Sequence, residues 1–295
     1  MANLKDIQRK IKSVKNTQKT THAMKLVSSA KLKRTEELAK RSRVYAAKLT
    51  EMIDEIALKI QNLGADANDN IYFKENNDPK MVDIIFISAD KGLCGGFNAQ
   101  TIKRINKLMD EFKADNVKVR LSGIGRKGIE YYRFNNVEMT HEVIGLSSAP
   151  DYERAAEFIS EIVEAYANGE TDRIVMVHNG YVNMISQEIR QEQVLPVDVS
   201  RAKADKELRS ELEIEPDEDS TLLVALTKRY IEFSMYYALI DSLAAEHAAR
   251  MQAMDAATTN AKEMVKTLSV KYNKARQEAI TTELIEIISG MESMK

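Results

Sequence analysis

The chain has no tryptophan and a single cysteine, Cys94, so no internal disulfide can form and a reducing compartment is the expected setting. Aromatic residues are only 6% of its 295 residues. Low aromatic content with abundant Ala, Lys, Glu and Met is the bias of long helices. All 4 prolines and ten of the 11 glycines lie between Gly64 and Pro216, and outside that window only Gly290 intervenes. Proline and glycine are the strongest helix breakers, so both ends are free to run as long helices. As single helices, residues 1–63 would span about 95 Å and residues 219–289 about 105 Å, far more than the width of a compact domain. No apolar run of about 18 residues is present, so no segment is expected to cross a membrane. The basic N-terminus has no apolar stretch of the kind a secretory signal needs. The chain therefore reads as soluble and intracellular, meeting a membrane only through partners.

Acid is nearly absent from the first helix. Residues 1–34 carry Lys5, Arg9, Lys10, Lys12, Lys15, Lys19, Lys25, Lys31, Lys33 and Arg34 against Asp6 alone. Residues 201–220 lean the other way, with Glu207, Glu211, Glu213, Glu215, Asp217, Glu218 and Asp219. The net charge of −2 hides this asymmetry, which suggests different partners for different regions. Nucleic acid suits the basic helix poorly, because no aromatic residues interleave with its charges. An acidic protein surface around it explains the charge better.

A seven-residue spacing runs through both ends. From Leu4 the core positions read Ile7, Ile11, Val14, Gln18, Thr21, Lys25, Ser28, Leu32, Thr35, Ala39, Ser42, Ala46, Leu49 and Ile53, and continue to Leu63. The second series runs from Leu226 through Tyr230, Phe233, Tyr237, Ile240, Ala244, His247, Met251, Met254, Thr258, Ala261, Val265, Leu268, Tyr272 and Ala275 to Ala279. Such a period implies a left-handed coiled coil. Two stripes of matching length, one entering and one leaving the same middle domain, are expected to pair antiparallel. Gln18, Thr21, Lys25 and Ser28 weaken the seam midway, so the helices are expected to lean on an outside wall there or to part.

The middle alternates strand and helix patterns. Residues 81–89 (MVDIIFISA) suit a strand buried on both faces. Helices are expected near 98–112, 127–134 and 152–166. Further strands are expected at 117–122, 137–144 and 173–178, with an extended stretch near 193–199. The pattern predicts an α/β domain with a parallel, Rossmann-like sheet inserted between two long terminal helices that form an antiparallel left-handed coiled coil. The expected divisions are an N-terminal helix at 1–63, a linker at 64–79, the α/β domain at 80–217 and a C-terminal helix at 218–295.

Two glycine-rich turns follow strands. Gly123, Gly125 and Gly128 match G-x-G-x-x-G, with Glu142 spaced as a ribose acid. This motivates an alternative, a dinucleotide-dependent enzyme with helical arms. A tight strand-to-helix turn is the preferred account, since no second substrate domain exists and His22, His141, His178 and His247 are scattered. Residues 90–96 (DKGLCGG) form the second turn, without the G-K-[ST] of a P-loop. Cys94 has no nearby His and carboxylate to activate it, so no catalytic residue, metal or cofactor is expected. A generic coiled-coil scaffold is the third reading.

Five stretches together carry a resemblance: residues 11–24 (IKSVKNTQKTTHAM), 90–96 (DKGLCGG), 246–254 (EHAARMQAM), 272–277 (YNKARQ) and 280–290 (ITTELIEIISG). In this order and spacing the chain resembles the gamma subunits of bacterial F-type rotary ATP synthases. The resemblance implies a non-catalytic rotor in the central stalk. Its coiled coil would thread a hexamer of alternating alpha and beta subunits, while its α/β domain would sit on the membrane ring beside the epsilon subunit. Ion-driven rotation would cycle the catalytic beta subunits through ATP synthesis or hydrolysis, with the chain held peripherally on the cytoplasmic face of the bacterial membrane. By matching position, Arg276, Gln277 and Thr281 resemble contacts to a beta loop. Met24, Lys19 and Lys25 match the region facing beta's acidic lever, and Lys91 and Cys94 match the turn below it. Glu207, Glu211 and Glu213 are loose candidates for contacts to epsilon and the ring. His22 stands where the family often has Lys or Arg, and Met291 where Ala is usual.

Overall fold

Residues 81–87 satisfy the demand of a strand enclosed on both faces, and they form the central strand of a five-stranded sheet. The computed structural model describes residues 4–62, 71–74, 76, 78–197 and 221–292. In chain order the elements are α1 (Leu4–Asn62), β1 (Met81–Ile87), α2 (Phe97–Ala114), β2 (Lys118–Ile124), α3 (Arg126–Phe134), β3 (His141–Val143), α4 (Tyr152–Ala167), β4 (Arg173–Tyr181), β5 (Gln187–Leu195) and α5 (Thr221–Glu292). They divide into two units, residues 30–249 and residues 1–29 with 250–295.

In the larger unit the sheet order is β3-β2-β1-β4-β5. Strands β1 to β4 are parallel, whereas β5 returns antiparallel to β4. The parallel, Rossmann-like sheet expected from the sequence is thus present in β1 to β4, and β5 adds an antiparallel edge: a five-residue connection between Tyr181 and Gln187 leaves no room for a crossover helix, so only a hairpin is possible. Strand β3 is shorter than the expected 137–144 stretch and pairs only with Ser122–Ile124 of β2. β1 alternates its side chains between two cores. Val82, Ile84 and Phe86 meet Ile105 and Leu108 of α2 and Ile129 and Tyr132 of α3. Ile85 and Ile87 face Phe158, Ile159 and Ile162 of α4 and Ile231, Met235, Ala238 and Leu239 of α5. Helix α4 starts where the Asp151 carboxylate accepts the Arg154 N–H at 3.0 Å.

Helix α5 thus belongs to the sheet's core as well as to a seam. Between Ile231 and Arg250 nearly every position is buried or half-buried, beyond the single stripe expected of a coiled-coil strand. Helix α1 in this unit shows the seven-residue period plainly: Leu32, Thr35, Ala39, Ser42, Leu49 and Ile53 are buried. The edge-to-face contact of Tyr45 with Phe233 (4.4 Å) and the Arg43–Tyr237 hydrogen bond (3.1 Å) set the two helices antiparallel.

In the smaller unit the seam is visible at every expected position from Leu4 to Ser28 and from Met251 to Ala279. The helices do not part at its polar middle. The hydroxyls of Thr21 and Thr258 lie 2.7 Å apart, and Lys25 Nζ reaches Asp255 Oδ1 at 2.7 Å. Gln18 O and Met254 O lie within reach of the same hydroxyls, so one threonine gives its proton to the other, which gives its own to a backbone carbonyl. Polar residues at these positions pair with each other, so desolvation of the hydroxyls is compensated.

The seam makes a quantitative distinction between neighbouring leucines. Leu32 is 1% exposed and Leu38 is 43% exposed. Leu32→Ala is expected to cost about 2–5 kcal/mol, and Leu38→Ala less than about 0.5 kcal/mol, as read from denaturant midpoints. Equal effects would refute the seam assignment.

Candidate partner-contact surfaces

In a Rossmann-like sheet, ligands bind beyond the carboxyl ends of the strands, at helix N-termini. Here that edge is filled by the protein itself. Helix α3 begins after Gly125, whose φ of +103° suits glycine alone. Its first three N–H groups are all taken: Arg126 donates to Asp90 Oδ1 at 3.0 Å, Lys127 to Ala89 O at 3.0 Å, and Gly128 to Ser88 Oγ at 2.9 Å. A Cβ on Gly125 would lie 1.9 Å from Ser88 O, and one on Gly123 or Gly128 would lie 2.4 Å from the Phe86 ring. These three glycines admit the tail of β1, not a pyrophosphate. Glu142, the spaced acid, pairs with the Arg133 guanidinium. At the neighbouring end of β4, the Asn179 amide donates to Phe97 O at 2.9 Å and to Thr101 Oγ1, closing the crevice against α2.

The 90–96 turn is held by its own side chains. Asn98 Oδ1 accepts the Ala89 N–H at 2.9 Å, and Asn98 Nδ2 donates to Cys94 Sγ at 3.3 Å. Cys94 is 2% exposed, whereas Leu93 is 63% exposed and Lys91 also faces outward. Lys91 and Leu93 are thus the outward side chains of this turn, and the Cys94 side chain lies inside it. Asp90 accepts from both Arg126 N and Gly145 N. Burial pushes its carboxyl up, but the Gly145 and Arg126 N–H groups above all outweigh it and hold the pKa below the ordinary value.

The other contact candidates lie in the smaller unit. Lys19 is exposed on α1, and Met24 and Lys25 are half-buried, with Lys25 engaged by Asp255. On α5, Arg276, Gln277 and Thr281 are exposed, and the Thr281 hydroxyl donates back to Gln277 O at 2.9 Å. The structure does not bring these two sets together. The Thr21–Thr258 register places Lys19 nearly opposite Ala261, about 22 Å along the helix from Arg276. Beyond Ala279 every described residue of α5 is exposed. Ile280, Leu284, Ile285, Ile287, Ile288 and Met291 form an apolar stripe there, each 49–66% exposed. Glu207, Glu211 and Glu213 lie outside the described residues.

A family model described as ATP synthase matches residues 3–294. The chain is 72% identical to the ATP synthase gamma chain of Sulfurovum sp. (strain NBC37-1) over 295 residues, covering 100% of both. The chain belongs to the ATP synthase gamma chain family. It is also 59% identical to the gamma chain of Sulfurimonas denitrificans over 295 residues, again across 100% of each. Its fold resembles a chain from the Euglena gracilis mitochondrial ATP synthase, solved as OSCP/F1/c-ring, with a TM-score of 0.69 at 17% identity, covering 99% of this chain and 94% of that one. A chain from the Tetrahymena thermophila central stalk/c-ring structure matches with a TM-score of 0.62 at 22% identity, over 81% of this chain and 99% of that one. As a gamma chain, the protein is a subunit of the ATP synthase complex.

One buried ionic cluster escaped the sequence reading. Asp241, His178 and Arg190 meet in the larger unit, with Arg190 Nη1 2.8 Å from Asp241 Oδ2. An acid inside the apolar run YYALIDSLAA was the available signal.

Because the native pKa of Asp90 is lowered, its stabilisation is complete above its unfolded value, near pH 4, and is lost as pH falls through the native value. Asp90→Asn is expected to lower stability at pH 7 by about 1 kcal/mol, the size of a lost helix cap, and to flatten the acid limb of the stability curve. Denaturant unfolding between pH 3 and pH 7 (roughly the range set by carboxylate titration) checks both. An unchanged acid limb would contradict the assignment.

Proposed function

We propose that this chain is the rotor of the central stalk, coupling ion-driven rotation to the conformational cycle of the catalytic beta subunits. The observation that carries this reading is the bare C-terminal stripe of α5. A run from Ile280 to Met291 offers large apolar side chains to no other described part of the chain. A helix with such a stripe is built to be enclosed by something else. The basic face of α1, with Lys12, Lys15 and Lys19 outside the seam, asks for acidic surroundings. A ring of alpha and beta subunits meets both needs, and shaft contacts that differ among three beta subunits bias each toward a different state.

In this reading the chain performs no chemistry. The strand ends where a Rossmann-like domain would hold a nucleotide are occupied by Ser88, Ala89 and Asp90, and nucleotide turnover belongs to the partners. Arg276, Gln277 and Thr281 serve as contacts to beta at one level of the shaft, and Lys19, Met24 and Lys25 at another. Lys91 serves at the base, with Cys94 behind it. Epsilon and the membrane ring meet the α/β domain, with Glu207, Glu211 and Glu213 as candidates. No helix among the described residues is long and apolar enough to cross a membrane. The chain is accordingly assigned to the periphery of the cytoplasmic face, held there by the ring.

The purified chain should hydrolyse no ATP, yet it should restore torque-coupled turnover when assembled with alpha and beta. Hydrolysis by the isolated chain, or failure to assemble, would sink the reading. The double substitution Arg276→Ala with Gln277→Ala should slow turnover under load roughly five- to tenfold, about 1–1.4 kcal/mol of lost contact energy. Single-molecule rotation against an external load measures it, and unchanged rates would remove these residues from the contact set.

A further inference from the structure

Asp241 is completely buried on α5, in the stretch enclosed by the sheet on one side and by α1 on another. Its carboxylate receives three donors from the β4–β5 hairpin. Arg190 Nη1 approaches Oδ2 at 2.8 Å, His178 Nε2 lies 3.4 Å from the same oxygen, and Tyr181 N–H reaches Oδ1 at 3.3 Å. A carboxylate only accepts, so the His178 proton must sit on Nε2. The Arg190 side chain crosses directly over the backbone of Gly180, where a Cβ would lie 2.2 Å from Nε. Glycine at 180 is thus what lets the guanidinium reach inward from β5. Glu188 accepts from Arg190 Nε at 3.2 Å at the outer rim.

The cluster extends across to α1. Tyr237 lies one helical turn before Asp241, and its hydroxyl accepts from Arg43 Nε of α1 at 3.1 Å. The same hydroxyl bonds Arg190, whose pKa is raised: burial lowers it, but Asp241, Tyr237 and Glu188 outweigh that effect. The Tyr181 ring lies close to Glu36 and Lys40 of α1, and burial, then Glu36, push its hydroxyl up. Strand β4 is buried along nearly its whole length in the two apolar cores, so the weakly packed half of this hairpin is β5. Of β5 only Val194 and Leu195 are buried, at the end away from Arg190. The near end of β5 is held by its backbone ladder to β4 and by the partly buried Ile189, and the directional, charge-assisted bonds of Arg190 tie it further to α5.

We propose that Asp241 is the keystone of a torsional clasp joining the β4–β5 hairpin, α5 and α1. The clasp lets torque pass between the α/β sheet and the helix pair without slip. It rests on the rotor reading above and deepens it, by naming the positioning residues that transmit torque inside the rotor. Asp241 touches no partner and no nucleotide in this role.

The test uses the assembled complex in sealed vesicles. Asp241→Asn keeps the volume and removes the charge, and Arg190→Gln opens the clasp from its more exposed side. The expected result is ATP hydrolysis near the parent rate, with ions pumped per ATP and stall torque down by roughly fivefold, the lower range of a site-to-site coupling. Arg190→Lys should recover part of this by keeping the charge without the fork. Should Asp241→Asn fail to assemble, Arg190→Gln decides alone. Parent-like pumping per ATP in the assembled variants overturns the clasp. So does an equal fall in hydrolysis and pumping, which marks a merely structural cluster. A parent chain that neither assembles nor pumps overturns the rotor reading and the clasp with it.

Discussion

Much of the larger unit depends on one enclosure: α5 from Ile231 to Ala249 is packed against the sheet and also serves as partner to α1. A helix shut in on several faces cannot use one apolar stripe and a wet back. It must be apolar or small nearly all round, and Ala238, Ala244, Ala245 and Ala248 supply that, each at 1% exposure or less. Every polar group in the enclosure then needs an internal partner, because water cannot reach it. Asp241 finds Arg190, His178 and Tyr181 N–H, and Tyr237 finds Arg43. Without those partners the same helix could not carry an acid at that position, since an unpaired buried carboxylate costs several kcal/mol.

The sheet's ligand edge shows the opposite use of polar groups. The frame of a nucleotide-binding domain is present, down to G-x-G-x-x-G after a strand. What fills the place of a pyrophosphate is local. Strand β1 runs on past the sheet through Ser88, Ala89 and Asp90, and these residues present a hydroxyl, a carbonyl and a carboxylate to the helix N-terminus. The helix end meets the negative partner it needs, but the partner is Asp90. The glycines then serve close packing against Phe86 and Ser88.

The period-seven seam was legible in the sequence position by position, because spacing alone decides which side chains face a neighbouring helix. Strands β1, β2 and β4 and helices α2, α3 and α4 were legible from their apolar periods, with ends off by a few residues. Three features were not. The polar middle of the seam suggested separation or an outside wall, because the spacing names Thr21 and Thr258 in separate seams without the register that sets them opposite, and Asp255 lies off the seam. Strand β5 is largely exposed from Gln187 to Gln193, so its apolar signal exists only near Val194, and its direction follows from the short hairpin. The Asp241 cluster draws on α1, β4, β5 and α5, and no local pattern announces a group assembled from four separated segments. Among the contact candidates, the inward turn of Cys94 depends on Asn98, four residues away, whose amide fixes the loop.

The composition of the bare helix end bears on what surrounds it. Ile280, Thr281, Thr282, Ile285, Ile287 and Ile288 are β-branched, and each costs about 0.4–0.7 kcal/mol of helix propensity relative to alanine. A helix end meant only for water would gain from Ala, Glu, Lys and Gln, which also keep it soluble. Here the intrinsic preference is sacrificed over three turns, and no packing inside the described chain repays it. Branched side chains lose little rotamer entropy on burial, so they suit a close-fitting, low-adhesion sleeve better than flexible ones. The glutamates Glu283 and Glu286 interrupt the apolar series and are themselves exposed. A surface that is apolar on one side and acidic on the other can be enclosed without being gripped uniformly, which is what a turning element requires of its bearing.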